Sequence, residues 1–176
     1  MTLPDDTNPT REISVSGIRL RFAASHMATL GLVLEPLHGH NYVVSCRVAG
    51  NLTDDNWVMD FSILKTLVRT ECDLLDHKFL LQMNSSQLVI EYEKKSGSYI
   101  IGHSDRIYKI PAEDVIALPI ENSTAELIAE HIADGIVAGI ISRGVKNLTS
   151  ITVEVEEMPG QSGIYTRGLP RERNDR

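Results

Sequence analysis

HGHNYVVSCRV, residues 38–48, reads as a β-strand that opens in a pair of histidines. A strand sends residues i and i+2 to one face, about 6.6 Å apart at roughly 3.3 Å per residue, so His38 and His40 converge on one point. Gly39 between them leaves the opposite face open and lets the backbone bend. The run before it, residues 13–24, alternates as well: Ile18, Leu20 and Phe22 are set against Arg19 and Arg21, the period of a half-buried sheet. His26 stands at the end of that run. Antiparallel pairing of the two strands brings it to the same end of the sheet as His38 and His40.

Downstream, the period changes. Residues 60–75 carry Ile63, Leu64, Leu67, Val68, Leu74 and Leu75 at helical spacing. Residues 87–103 read as a hairpin with its turn at 94–97, and 106–110 as one more short strand. Residues 123–142 carry the strongest helical signal, with Ser123 and Glu126 as a capping box and Leu127, Ile128, Ile132, Ile136, Ile140 and Ile141 as the buried stripe. Ile151, Val153 and Val155 alternate within 148–155, and 163–167 can return as a closing strand. Strands, helix, inserted hairpin, helix and strands make an α+β domain, an antiparallel sheet with helices on one face. It spans residues 11–167, between a flexible N-terminal tail (1–10) and a charged C-terminal tail (168–176), with the inserted hairpin around 85–119.

The chain has 176 residues, 42% hydrophobic and 23% charged, an ordinary globular balance with enough length for one core. A net charge of −7 leaves no basic footprint for nucleic acid, although a few local cations still suffice for an anionic small substrate. No apolar run approaches the ~20 residues needed to span a bilayer, and the polar start lacks the cationic and apolar regions of a signal peptide. Cys46 and Cys72 form no spaced pair, which implies a reducing, cytoplasmic setting.

His26, His38 and His40 are three imidazoles with room for a fourth ligand, the set of a catalytic rather than a closed structural zinc. An HxH on a strand is also compatible with simple surface or core polarity; the third histidine favours the metal. Cys46 shares the face of His40 but lies roughly 20 Å along the strand, so packing is its expected role. Glu35, held extended by Pro36, is either a general base beside the metal or a solvated loop glutamate. Asp76-His77, after the first helix, is either a proton relay or a favourable helix end. Glu157, at the end of the 148–155 strand, either accepts two N–H bonds from a 2-amino-4-oxo heterocycle or is a surface charge beside Glu154 and Glu156.

FAASH, HGHNY, VMDF with Leu64-Lys65, LLDH, NSTAE and VEVEE followed by GIY stand in one order along residues 18–167. In that order the chain resembles the 6-pyruvoyltetrahydropterin synthase / 6-carboxytetrahydropterin synthase family. The resemblance implies a tunnelling fold (ββααββ) and a homo-oligomer with active sites between subunits. It also implies the family's substrate, 7,8-dihydroneopterin triphosphate. It assigns His26, His38 and His40 to Zn²⁺, Asp76 and His77 to catalysis, and Glu157 and Thr124 to holding the pterin. His103 and His131 match no motif and are expected on the surface or in packing. Lys65, Lys78 and Arg47 are available for phosphates.

Two departures stand out. The loop before HGH, residues 32–37, has no cysteine, where members making 6-pyruvoyl- or 6-carboxytetrahydropterin carry one. Glu35 instead falls where a third subgroup, with an ExxHGH pattern, has its glutamate. That subgroup cleaves the side chain to 6-hydroxymethyl-7,8-dihydropterin for folate synthesis. The alternatives are 6-carboxytetrahydropterin synthase activity in the queuosine route, 6-pyruvoyltetrahydropterin synthase activity, or a pterin-binding scaffold without catalysis. The segment between Leu81 and Pro119 is also longer than in a minimal member, with three expected roles: extending the sheet, thickening an oligomer interface or covering the site.

Overall fold

The computed structural model describes residues 11–170; the expected N-terminal tail and residues 171–176 of the C-terminal one lie outside it. In chain order the strands and helices are β1 (Arg11–Val15), β2 (Arg21–His26), β3 (Thr29–Leu30), β4 (Val33–Leu34), β5 (His38–Gly50) and α1 (Phe61–Leu75). β6 (Lys78–Gln82), β7 (Val89–Glu93), β8 (Ser98–His103), β9 (Arg106–Pro111) and β10 (Val115–Leu118) follow, then α2 (Ala125–Ser142), β11 (Leu148–Met158) and β12 (Gln161–Gly168). The first alternating run is split. Gly17, at φ 134°, turns the chain with Leu20 N–H donating to its carbonyl at 2.9 Å, and Ile18 is left exposed in that turn. β1 and β2 then pair with successive halves of the long β5.

The main sheet runs β10-β6-β2-β5-β11-β12, with β1 also on β5. It is mixed, which corrects the all-antiparallel expectation: β2 pairs β6 in parallel, and β6 pairs β10 in parallel. The cause is α1, which carries the chain back across the sheet so that β6 enters in the direction of β2. β6 is a continuous apolar run, Phe79-Leu80-Leu81, without the alternation that reveals a half-exposed strand.

Both helices cover one face. Phe22, Ala24, Tyr42, Val44, Cys46, Val48, Ile151, Val153 and Val155 bury that face against Leu64, Val68, Cys72 and Leu75 of α1 and Ile128, Ile132, Ile136 and Ile140 of α2. Ile63, Leu74 and Ile141 point outward instead, because the true stripes advance by four from Leu64 and Ile128. Asp60 caps α1 by accepting from the Ser62 and Ile63 amides. Thr124, not Ser123, caps α2: its hydroxyl accepts from Leu127 N–H at 3.5 Å. The cap therefore falls one residue later than expected and no capping box closes, since Leu127 rather than Glu126 holds the third helical position, while the Ser123 carbonyl is engaged by His26.

The insertion is a separate three-stranded antiparallel sheet, β7-β8-β9, followed by the return of β10 to the main sheet. It packs on a second apolar cluster, Met27, Leu34, Phe79, Leu81 and Ile101, directly behind the end of β2.

Candidate metal centre

His26 and His38 are register partners across β2 and β5, and His40 lies opposite Ala24. All three continue the core-facing rows, Phe22-Ala24-His26 and His38-His40-Tyr42-Val44, so the apolar face ends in imidazoles where the sheet runs out from under α2. Ring centroids are 4.6 Å apart for His26 and His38, 5.3 Å for His26 and His40 and 4.9 Å for His38 and His40. One nitrogen from each ring lies within 4.8 Å of the other two.

The protonation pattern suits a cation. His26 Nδ1 donates to the Ser123 carbonyl at 2.8 Å, and His38 Nδ1 to the Pro36 carbonyl at 2.8 Å. A carbonyl can only accept, so each ring carries its proton on Nδ1 and keeps the Nε2 lone pair free, the arrangement typical of a metal-bound histidine. The Nε2 atoms of His26 and His40 are buried without a hydrogen-bond partner. Burial also lowers the His26 pKa from its ordinary 6.5, favouring the neutral, ligating form. These residues fit a divalent metal, and soft-to-borderline imidazole ligation suits zinc.

Glu157 is next on the face that buries Val153 and Val155, at the irregularity where the β11–β12 register slips between Glu156 and Met158. Its Oε1 lies 3.3 Å from His26 Nε2 and 3.5 Å from His40 Nε2, and accepts from the Tyr42 hydroxyl at 3.3 Å. Tyr42 was not singled out in the sequence, although it extends the His38-His40 row by one more i+2 step. Glu35 follows β4, with its N–H donating to the Ala28 carbonyl at 2.9 Å. Glu35, the three histidines, Thr124 and Glu157 line one cavity of about 440 Å³. Gly163 permits its far wall: a Cβ there would stand 2.4 Å from the Glu126 nitrogen, so β12 reaches the start of α2 only because this residue has no side chain.

Asp76 and His77 are placed elsewhere. Asp76 Oδ1 accepts from Ala23 N–H at 2.8 Å and Oδ2 meets His77 Nδ1 at 2.9 Å. The Ala23 amide, and then His77, hold the Asp76 carboxyl below its ordinary range. His77 has φ 59°, and its side chain is 82% exposed. It lines a second cavity of about 590 Å³ with Ser25, Gly39 and Asn41, and His40 borders both cavities. No cysteine reaches either cavity: Cys46 and Cys72 are in the core, where burial pushes each thiol up to about 12.

Three imidazoles able to hold a metal, at the open end of a helix-covered sheet and sharing a cavity with two carboxylates, mark an α+β enzyme domain of the tunnelling-fold class. The chain belongs to the 6-pyruvoyl tetrahydropterin synthase family, whose model matches residues 17–168. It is 34% identical over 151 residues to a putative 6-carboxy-5,6,7,8-tetrahydropterin synthase of Methanocaldococcus jannaschii, covering 85% of this chain and 91% of the relative. Among solved structures it is similar to the 6-pyruvoyltetrahydropterin synthase of Plasmodium vivax, in a variant of a residue described as catalytic (33% identity, TM-score 0.86, 92% of this chain and 100% of that one). The Plasmodium falciparum protein is comparable at 34% identity and TM-score 0.84, with 92% and 100% covered.

Proposed function

We propose that the protein is a zinc-dependent lyase that cleaves the side chain of 7,8-dihydroneopterin triphosphate to 6-hydroxymethyl-7,8-dihydropterin, a step toward folate. The observation that carries this reading is Glu35 sharing the 440 Å³ cavity with the three histidines, while both thiols are buried away from it. In the Plasmodium vivax relative the residue described as catalytic, replaced by alanine in one structure and by cysteine in another, is a glutamate, which supports a glutamate in a catalytic role here.

His26, His38 and His40 would hold the zinc, which when bound supplies Lewis-acid polarisation of the side-chain oxygens. Glu157 and Thr124 hold the pterin ring, Glu157 by accepting from its 2-amino and N3 hydrogens. Glu35 takes the proton from the C2′ hydroxyl. The C1′–C2′ bond then breaks, C2′ leaves as the triphosphorylated two-carbon aldehyde, and the electron pair passes into the ring imine. A proton returned to C1′ completes the hydroxymethyl group. Asp76-His77 supplies it. Because His77 lies outside the metal cavity of its own chain, the pair serves a neighbouring subunit of a homo-oligomer with its active sites between subunits.

Product identification by mass spectrometry, after incubating the zinc-loaded protein with 7,8-dihydroneopterin triphosphate, tests the reading. A 6-hydroxymethyl product lost in Glu35→Ala, with zinc retained, is expected. A second reading, 6-carboxytetrahydropterin synthase, is favoured by the name of the Methanocaldococcus relative. Acetaldehyde release would establish it in place of the first, and tight pterin binding without any product would mark a scaffold.

A further inference from the structure

The β8–β9 hairpin of the insertion turns through Ser104, at φ 54°, and pairs His103 with Arg106. From that tip the Arg106 guanidinium reaches back to the loop before HGH. Its Nη2 donates to the Leu34 carbonyl and its Nη1 to the Glu35 carbonyl at 3.3 Å. On the other side the Glu35 N–H is taken by Ala28. Both polar groups of the Glu35 backbone are therefore fixed, and Pro36 restricts the Glu35 backbone further. Leu34 anchors the same loop in the second apolar cluster, against Met27 and Ile101.

We infer that Arg106 is a positioning residue for Glu35, and that the insertion exists in part to hold the base-bearing loop at the metal cavity. This assigns the insertion a task other than extending the main sheet. A guanidinium suits it, because two N–H donors in a rigid fork bridge two successive carbonyls, which fixes the peptide plane between them as a single ammonium does not. The inference rests on Glu35 acting as the base. A displacement of about 1 Å at such a group costs on the order of 100-fold in rate.

Arg106→Met, Arg106→Lys, Glu35→Ala and the Arg106→Met/Glu35→Ala double variant make the test, with the full chain loaded with zinc. Arg106→Met is expected to lower kcat about tenfold to 100-fold with little change in KM and unchanged metal content. Arg106→Lys should recover part of the loss. In the Glu35→Ala background the further loss should vanish, since the clamp then has no base to place. Amide hydrogen exchange over residues 33–38 reads the clamp without turnover, and should quicken in Arg106→Met while α2 stays protected. Unchanged exchange, or an equal fall in kcat in both backgrounds, overturns the inference. If Glu35→Ala itself keeps full activity, the functional reading fails, and the exchange result still decides whether Arg106 orders the loop.

Discussion

His26 Nδ1 donates to the backbone carbonyl of Ser123, 2.8 Å away and 97 residues along the chain. The bond ties the open end of β2 to the residue before the α2 cap, so one imidazole of the cluster is oriented by the helix that covers the core. A metal bound at this cluster would therefore be coupled to helix docking. Chelation is expected to lower the melting temperature, and zinc to restore it. A ligand at a thousandfold excess over its Kd adds about 4 kcal/mol. At about 2–4 °C per kcal/mol for a chain of this size, the shift is roughly 10 °C. Calorimetry with and without chelator checks it, and His40→Ala should abolish the zinc response.

Gly39 has a steric reason to be glycine. A Cβ there would stand 2.7 Å from the Ala24 carbonyl oxygen and 3.3 Å from the Ser25 Cα, both rigid backbone of the neighbouring strand. Gly39→Ala should push β5 from β2 between two histidines, costing about 1–3 kcal/mol. Metal affinity should fall about tenfold or more, since the ligand rings lose their alignment. Denaturant midpoints and competitive zinc titration measure the two effects.

The convergence of the three histidines was legible because alternation makes strand faces readable: His38 and His40 share a face by count, and His26 joins them through one antiparallel register. For Glu157 the alternation gives only a place on the face of Val153 and Val155, and the sequence leaves open whether it is a heterocycle acceptor or a surface charge. What local pattern could not show was β6 and β10. Phe79-Leu80-Leu81 is apolar on both faces, and a parallel pairing has no hairpin turn to announce it. Arg106 was equally hidden, since it acts on a loop 71 residues away. The location of Asp76-His77 was invisible too. The motif gives the pair, but the direction it faces depends on the positive φ of His77 and on two bonds to Ala23.

Asp76 gives a pH signature with a definite sign. Its carboxyl sits below its ordinary 3.8 in the fold, held first by the Ala23 amide and then by His77. A depressed folded value means that its stabilisation is complete above the unfolded pKa and is lost as pH falls through the folded one. Asp76→Asn keeps an oxygen for the Ala23 amide, but removes the charge and puts an amide nitrogen in place of the oxygen that meets His77. It should be less stable than the parent at pH 7, and the gap should close as the pH is lowered past 3.8. Urea midpoints for both proteins across that range give the comparison.

The two cysteines should be silent in the native protein. Cys46 and Cys72 are fully buried, and burial pushes both thiols up to about 12, so almost no thiolate exists at pH 8. A disulfide reagent should titrate neither thiol in the folded state and both after denaturation, with turnover unaffected by the native treatment. Rapid modification with loss of activity would show a thiol reaching the site after all, and would return a cysteine base to consideration.

Tyr42 separates a core role from a site role. Its ring is buried and stacks on Phe22, with centroids 4.7 Å apart and planes at 19°. Only its hydroxyl reaches outward, donating to Glu157 at 3.3 Å. Tyr42→Phe keeps the stack and removes the hydroxyl, so stability should change by no more than about 1 kcal/mol. Glu157 would lose the donor that steers one of its oxygens, and a bidentate acceptor depends on both being aimed. Pterin affinity, read by fluorescence titration, should weaken several-fold in Tyr42→Phe and far more in Glu157→Gln, which replaces one acceptor oxygen with a donor. Wild-type affinity in Tyr42→Phe would mean that the β11 irregularity alone holds Glu157 in place, and that Tyr42 belongs only to the core.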